Sequence, residues 1–180
     1  IAEIPNVETK GLRGGVRYHD GQFDDARMAA ALAMTAADHG AAIATRCRVI
    51  GLLKEGDHCV GVRVVDREAV GGDEEFEIRA KVVINACGIF ADKIRRMDEP
   101  ECHSVIEPAQ GVHLVLDKSF QPSETAIMVP HTDDGRVLFV IPWHGRVVVG
   151  TTDTPMKSAD LEPRALPDEV DFILRNANRY

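Results

Sequence analysis

A chain of 180 residues, 44% hydrophobic and 28% charged, can build a packed core and stay in water. Its formal charge of −8 argues against a surface that grips nucleic acid or anionic lipid directly. The longest aliphatic runs are strand-sized, far below the ~20 residues that cross a bilayer, and no signal or transit segment is visible.

In chain order, residues 13–23 read as extended chain with a turn at Asp20-Gly21. Asp24 or Asp25 then offers a carboxylate to the free amides of a helix start. The alanine-rich run 26–39 predicts a helix, with Gly40 placed to end it in the left-handed conformation. A β-rich section follows, with strands expected at 42–44, 48–53, 60–65, 76–79 and 82–86. Glu55-Gly56-Asp57 supplies a turn, and 69–73 a glycine-rich loop. "KVVINACG" reads as a strand opening onto small residues, with a short helix after it at about 91–97. That pattern marks a ligand edge in α/β sheets.

The last third predicts an antiparallel meander with strands at 112–116, 126–129, 137–141 and 146–149. Turns are expected at Asp134-Gly135 and Trp143-His144-Gly145. From Pro167, the spacing of Val170, Ile173, Leu174 and Ala177 predicts a helix. The chain opens on Ile1 and stops at Tyr180 before any helix-stop signal, so it reads as a piece of a longer protein. The fold class is mixed α/β.

Several motifs are missing. "GLRGG" at 11–15 lacks both the spacing and the preceding strand of a G-x-G-x-x-G fingerprint. There is no Walker loop, no H-E-x-x-H and no G-x-S-x-G. Cys47, Cys59, Cys87 and Cys102 show no C-x-x-C spacing, so reduced thiols in a cytosolic or equivalent compartment are expected. His19, His131, His144 and Cys102 have no metal-ligand spacing, and no metal is expected.

The segment "DGRVLFVIPWHGRVVVGTTDT" places an arginine at the mouth of each of two aliphatic strands, then ends on a small polar elbow. A core does not require such an arrangement; an anion site beside a cofactor does. Together with "YHDGQFDDARMAAALAMTAADHGA", "RAKVVINACGIFADKIRRMD" and "PAQGVHLVL", it resembles the FAD-dependent glycerol-3-phosphate dehydrogenases, in family order over about 11–180. "FADKIRRMD" and "TTDTP" are nearer the mitochondrial-type branch. The chain departs from the usual N-A-T-G-P at Cys87 and Ile89, and from a frequent Ser at Ala109.

The resemblance implies part of a Rossmann-type FAD domain joined to a mostly antiparallel substrate-binding sheet. It implies a partial FAD lobe at 24–103, a substrate sheet at 1–23 and 104–150, and a return towards the FAD lobe at 151–180. It also implies oxidation of sn-glycerol 3-phosphate to dihydroxyacetone phosphate, with electrons passed to quinone. The enzyme would be cytoplasmic and peripheral to the inner membrane, associating with membrane only through the full-length protein. This stretch alone, lacking the pyrophosphate cradle, is expected neither to hold FAD tightly nor to act. Two other readings stay open: a related FAD oxidase of amines, amino acids or hydroxy acids, and a non-catalytic β-rich binding module.

The chemistry suggests particular residues. Flavin carries the redox step, so protein must position the alcohol and accept its proton, a task suited to histidine. The family's G-x-H histidine falls on His113, implying a substrate ligand and base; otherwise it is a strand-edge histidine. Gly111 would allow close backbone approach beside it. The family's strand-opening arginine falls on Arg136, whose planar fork can hold two phosphate oxygens. Such a charge contact is worth roughly 4 kcal/mol at about 4 Å near a surface, before desolvation. The plain alternative is a hairpin arginine paired with Asp133 or Asp134, a role also expected of Arg146. Gly150 and Thr151 would bring backbone amides near the flavin; Ala86, Gly88 and Val49 would lie on its pyrophosphate or adenine side. Plain turns explain these positions equally well.

Overall fold

Asp24 accepts a hydrogen bond from the Arg27 backbone N–H at 3.0 Å and starts helix α1, Asp25–Asp38. The computed structural model describes residues 4–180. Past the helix, Gly40 takes φ +88°, a conformation costly for any residue with a β-carbon. The chain divides into two units, one of Gly15–His103 and one of Ile1–Gly14 with Ser104–Tyr180.

The Gly15–His103 unit holds α1 and an antiparallel sheet of β1 (Cys47–Glu55), β2 (His58–Asp66) and β3 (Glu74–Arg79) in that order. Val64 and Val65 of the central strand are its buried aliphatics. Helix α2, Ala91–Asp98, is tied to β1 by Lys54 and Asp98 at 2.6 Å. The strands expected at 42–44 and 82–86 do not form. A strand requires a partner for its backbone N–H and C=O groups, and neither segment pairs with one. Val82 and Ile84 are exposed accordingly, at 72% and 83%.

The other unit is built on a four-stranded antiparallel sheet ordered β5-β8-β7-β6, from β5 (His113–Asp117), β6 (Ile127–Val129), β7 (Leu138–Trp143) and β8 (Arg146–Gly150). β7 and β8 join through His144 and Gly145, both at positive φ, the turn that matches the right-handed twist of a hairpin. A short pair, β4 (Ala109–Gln110) with β9 (Thr154–Pro155), was not foreseen. At two residues per strand it carries no periodicity to read.

Helix α3, Pro167–Ala177, lies against β7 and β8. Ile173 joins Val129, Leu138, Val147 and Val149 in the core, with Leu114, Leu116 and Val140 packed around them. Each such side chain contributes about 2 kcal/mol of burial. This packing places 151–180 in one unit with the sheet of 104–150, and residues 15–23 belong to the unit that carries α1.

Candidate active site

Strand register decides which side chains share a face. Leu114, Val149 and Val140 lie side by side and face the core. The neighbouring row is His113, Gly150 and Phe139, on the opposite face. There His113 is exposed and its ring lies over Gly150. A β-carbon at Gly150 would stand 2.5 Å from His113 Cδ2 and 2.8 Å from the Val112 carbonyl oxygen, so only glycine fits. Along this face Val115 is exposed and Phe139, Ile141 and Val148 are half-buried, with the Asp117–Arg146 ion pair at its far end.

Beyond Gly150 the chain turns into a cleft of about 440 Å³ lined by Gly111, Arg136, Val137, Thr151, Thr152 and Asp153. Its walls are close. A β-carbon on Gly111 would meet Thr151 Oγ1 at 2.7 Å and the Thr152 carbonyl oxygen at 3.0 Å. The Val112 N–H donates to Thr152 Oγ1 at 3.0 Å and ties one wall to the other.

Arg136 supplies the cation. Its Nε donates to Asp134 Oδ2 at 2.8 Å, and Nη2 reaches the same oxygen. The guanidinium holds the Asp134 carboxyl far below the usual carboxylate range, and Asp134 pushes the arginine up. Nη1 is buried, makes no hydrogen bond, and lies 3.8 Å from Asp153 Oδ2. The Cζ atom sits 5.8 Å from the Phe172 ring centre on α3. Thus Arg136 lines the cleft with the Asp134 pairing of a hairpin arginine and with Nη1 donors left unused.

The Arg136 loop is fastened to α3. Asp133 accepts from Arg175 Nε and Arg179 Nη2, each at 2.7 Å, and these two arginines lower its pKa. Its backbone N–H donates to Asn176 Oδ1 at 3.0 Å. Arg146 pairs with Asp117 across β5 and β8 at 3.4 Å, away from the cleft.

Of the residues singled out from sequence, Gly111, Thr151 and Arg136 meet in one cleft. His113 stands outside that lining, over Gly150. Val49 lies within β1, while Ala86 and Gly88 are exposed ahead of α2; all three belong to the other unit.

Sequence reasoning missed Glu169, which is 3% exposed at the start of α3. Burial pushes its carboxyl up, but hydrogen bonds from the Leu166 backbone, Thr154, Gln110 and Thr152 more than offset this and leave it lowered. A glutamate two positions after Pro167 suggests a helix cap; nothing local reveals that the elbow also reaches it. Among the described residues no cluster of three or more His, Cys, Asp or Glu could hold a metal ion. The four cysteines are free.

Residues 1–180 match the model of the DAO family, the FAD dependent oxidoreductases, and the chain belongs to that family. It is 40% identical over 186 residues to the mitochondrial glycerol-3-phosphate dehydrogenase of Macaca fascicularis, covering 100% of this chain and 25% of that protein. The corresponding Schizosaccharomyces pombe protein is 38% identical over 190 residues, covering 100% of this chain and 29% of its own. The chain therefore spans between a quarter and a third of these relatives. Among solved structures, glycerol-3-phosphate dehydrogenase from Bacillus halodurans, complexed with FAD, superimposes with a TM-score of 0.92 at 32% identity. That match covers 99% of this chain and 35% of the other. L-proline dehydrogenase from P. horikoshii shares the fold, with a TM-score of 0.60 at 19% identity over 84% of this chain and 37% of its own.

Proposed function

We propose that this chain is part of a flavoenzyme that oxidises sn-glycerol 3-phosphate to dihydroxyacetone phosphate. One observation carries the substrate assignment: Arg136, whose buried Nη1 makes no hydrogen bond, lines a cleft together with Gly111 and Thr151. A phosphate ester is the ligand such a site suits. It can take the guanidinium's remaining donors beside Gly111 and Thr151. The likeness to glycerol-3-phosphate dehydrogenases over the whole chain supports the same reading.

The face opposite the core fits a flat, largely apolar ring system. It presents Val115, Phe139, Ile141 and Val148 beside His113, whose ring covers Gly150. Gly150 and Thr151 would hold FAD from this unit. When bound, FAD supplies the acceptor for the hydride leaving the alcohol carbon. Arg136 anchors the phosphate and thereby fixes which carbon is presented. His113 takes the hydroxyl proton on an imidazole nitrogen, and its exposure gives that proton a route to solvent. Electrons pass onward to quinone at the inner membrane. Among the described residues no helix is long and apolar enough to cross a membrane, which fits docking at its surface.

The test is an anaerobic mixing experiment with a full-length protein carrying this chain. Adding sn-glycerol 3-phosphate should bleach the flavin absorbance and form dihydroxyacetone phosphate stoichiometrically, with a soluble quinone restoring the colour faster than oxygen does. Flavin that stays oxidised with this substrate, yet bleaches with an amine or amino acid, would overturn the assignment.

A further inference from the structure

We propose that Glu169 is a positioning residue for the anion cleft, its buried carboxylate setting the distance between the Gln110–Val112 wall and the Thr152–Thr154 wall. The proposal deepens the reading of the cleft as a phosphate site and rests on it. Glu169 Oε1 accepts from the hydroxyls of Thr154 at 2.6 Å and Thr152 at 3.2 Å. Oε2 accepts from the side-chain amide of Gln110 at 2.8 Å and the Leu166 backbone N–H at 2.8 Å. Gln110 and Thr154 are direct partners in the β4–β9 pair, so the carboxylate bridges both strands of that pair from beneath. Thr152 passes the constraint on by accepting from the Val112 N–H, one residue from Gly111 and one from His113.

All four donors are neutral, and a side chain kept only to balance charge would face a cation. Two oxygens with four acceptor directions instead hold two chain segments and a helix start in one geometry. The remaining polar contact of Gln110 points the same way, its amide also donating to the Arg164 carbonyl at 2.9 Å. Glu169, Ile173 and Asn176 lie at i, i+4 and i+7 on the buried stripe of α3. The stripe thus grips the elbow at one end and, through Asn176 and the Asp133 backbone, the Arg136 loop at the other.

Withdrawing the carboxylate by one methylene should let the walls drift while the helix stays packed. In the full-length holoenzyme, Glu169→Asp is expected to raise KM for sn-glycerol 3-phosphate about tenfold, with kcat changing less, as a small misplacement of binding groups predicts. Glu169→Gln keeps the length and an acceptor and should recover most of that loss. Hydrogen exchange should accelerate in peptides spanning 109–112 and 150–155, with β7 and β8 unchanged as far as Val149. Thr154→Val, nearly isosteric and lacking the shortest of the four bonds, should change exchange and KM in the same direction if Glu169→Asp fails to fold.

A folded Glu169→Asp or Thr154→Val enzyme with native KM, or with native exchange in both segments, overturns the proposal. If native enzyme does not oxidise glycerol 3-phosphate but exchange changes as described, the substrate assignment has failed and the clamp has not.

Discussion

Replacing Arg136 with alanine in the full-length enzyme is expected to raise KM for sn-glycerol 3-phosphate by roughly 10²- to 10⁴-fold. Hydrogen bonds between charged groups contribute about 1.5–3 kcal/mol each, and a guanidinium can give a phosphate two. At about 1.4 kcal/mol per tenfold, their loss gives a change of that order. The fold should survive, because the pair with Asp134 is partly exposed and such pairs are worth under about 1 kcal/mol. Arg136→Lys should recover only part of the affinity, since an ammonium restores the charge without the planar fork. Steady-state kinetics checks both variants, with flavin content and Tm as controls. An Arg136→Ala enzyme that is folded, flavinated and native in KM would remove the cation from substrate binding.

His113→Ala is expected to lower kcat by roughly 10²- to 10⁴-fold, the usual range for removing a general base, while KM changes less. The side chain is exposed on the face opposite the core, so its loss should scarcely affect stability. A primary isotope effect with substrate deuterated at the alcohol carbon should grow as the chemical step becomes slower than product release. A kcat within threefold of native would return His113 to a strand-edge role. The two variants separate the parts of the site: Arg136 reads out in KM, His113 in kcat.

Sequence patterning was informative wherever structure is decided within a few residues. The alanine run behind Asp24, the turn at His144-Gly145 and the four strands within 112–150 follow from local capping, positive φ and alternation, but the expected meander does not form, because β5 pairs with β8 rather than with β6. It failed where the decision is made elsewhere in the chain. The runs at 42–44 and 82–86 have strand composition but no neighbouring strand among the described residues, and composition cannot supply one. Glu169 shows the same limit for the site, because its partners Thr152, Thr154 and Gln110 lie 15 to 59 residues away. Arg136 was visible as a candidate, and its foreseen pair with Asp134 forms in a way compatible with the proposed phosphate contact. Asp134 holds one edge of the fork, and the other edge is left at the cleft.

That compatibility also explains how a cation stays poised without closing its own site. Asp134 fixes the plane of the guanidinium through Nε and Nη2. Asp153 stands near Nη1 at 3.8 Å without a hydrogen bond. Under the proposed assignment, an arriving phosphate would have to outcompete only the second of these carboxylates.

The most direct measurement is a crystal structure of the full-length holoenzyme soaked with sn-glycerol 3-phosphate. The phosphate should hydrogen-bond Arg136 Nη1 between Gly111 and the Thr151–Asp153 segment, with the substrate hydroxyl towards His113. Phosphate density elsewhere, with Arg136 engaged only by Asp134 and Asp153, would contradict it.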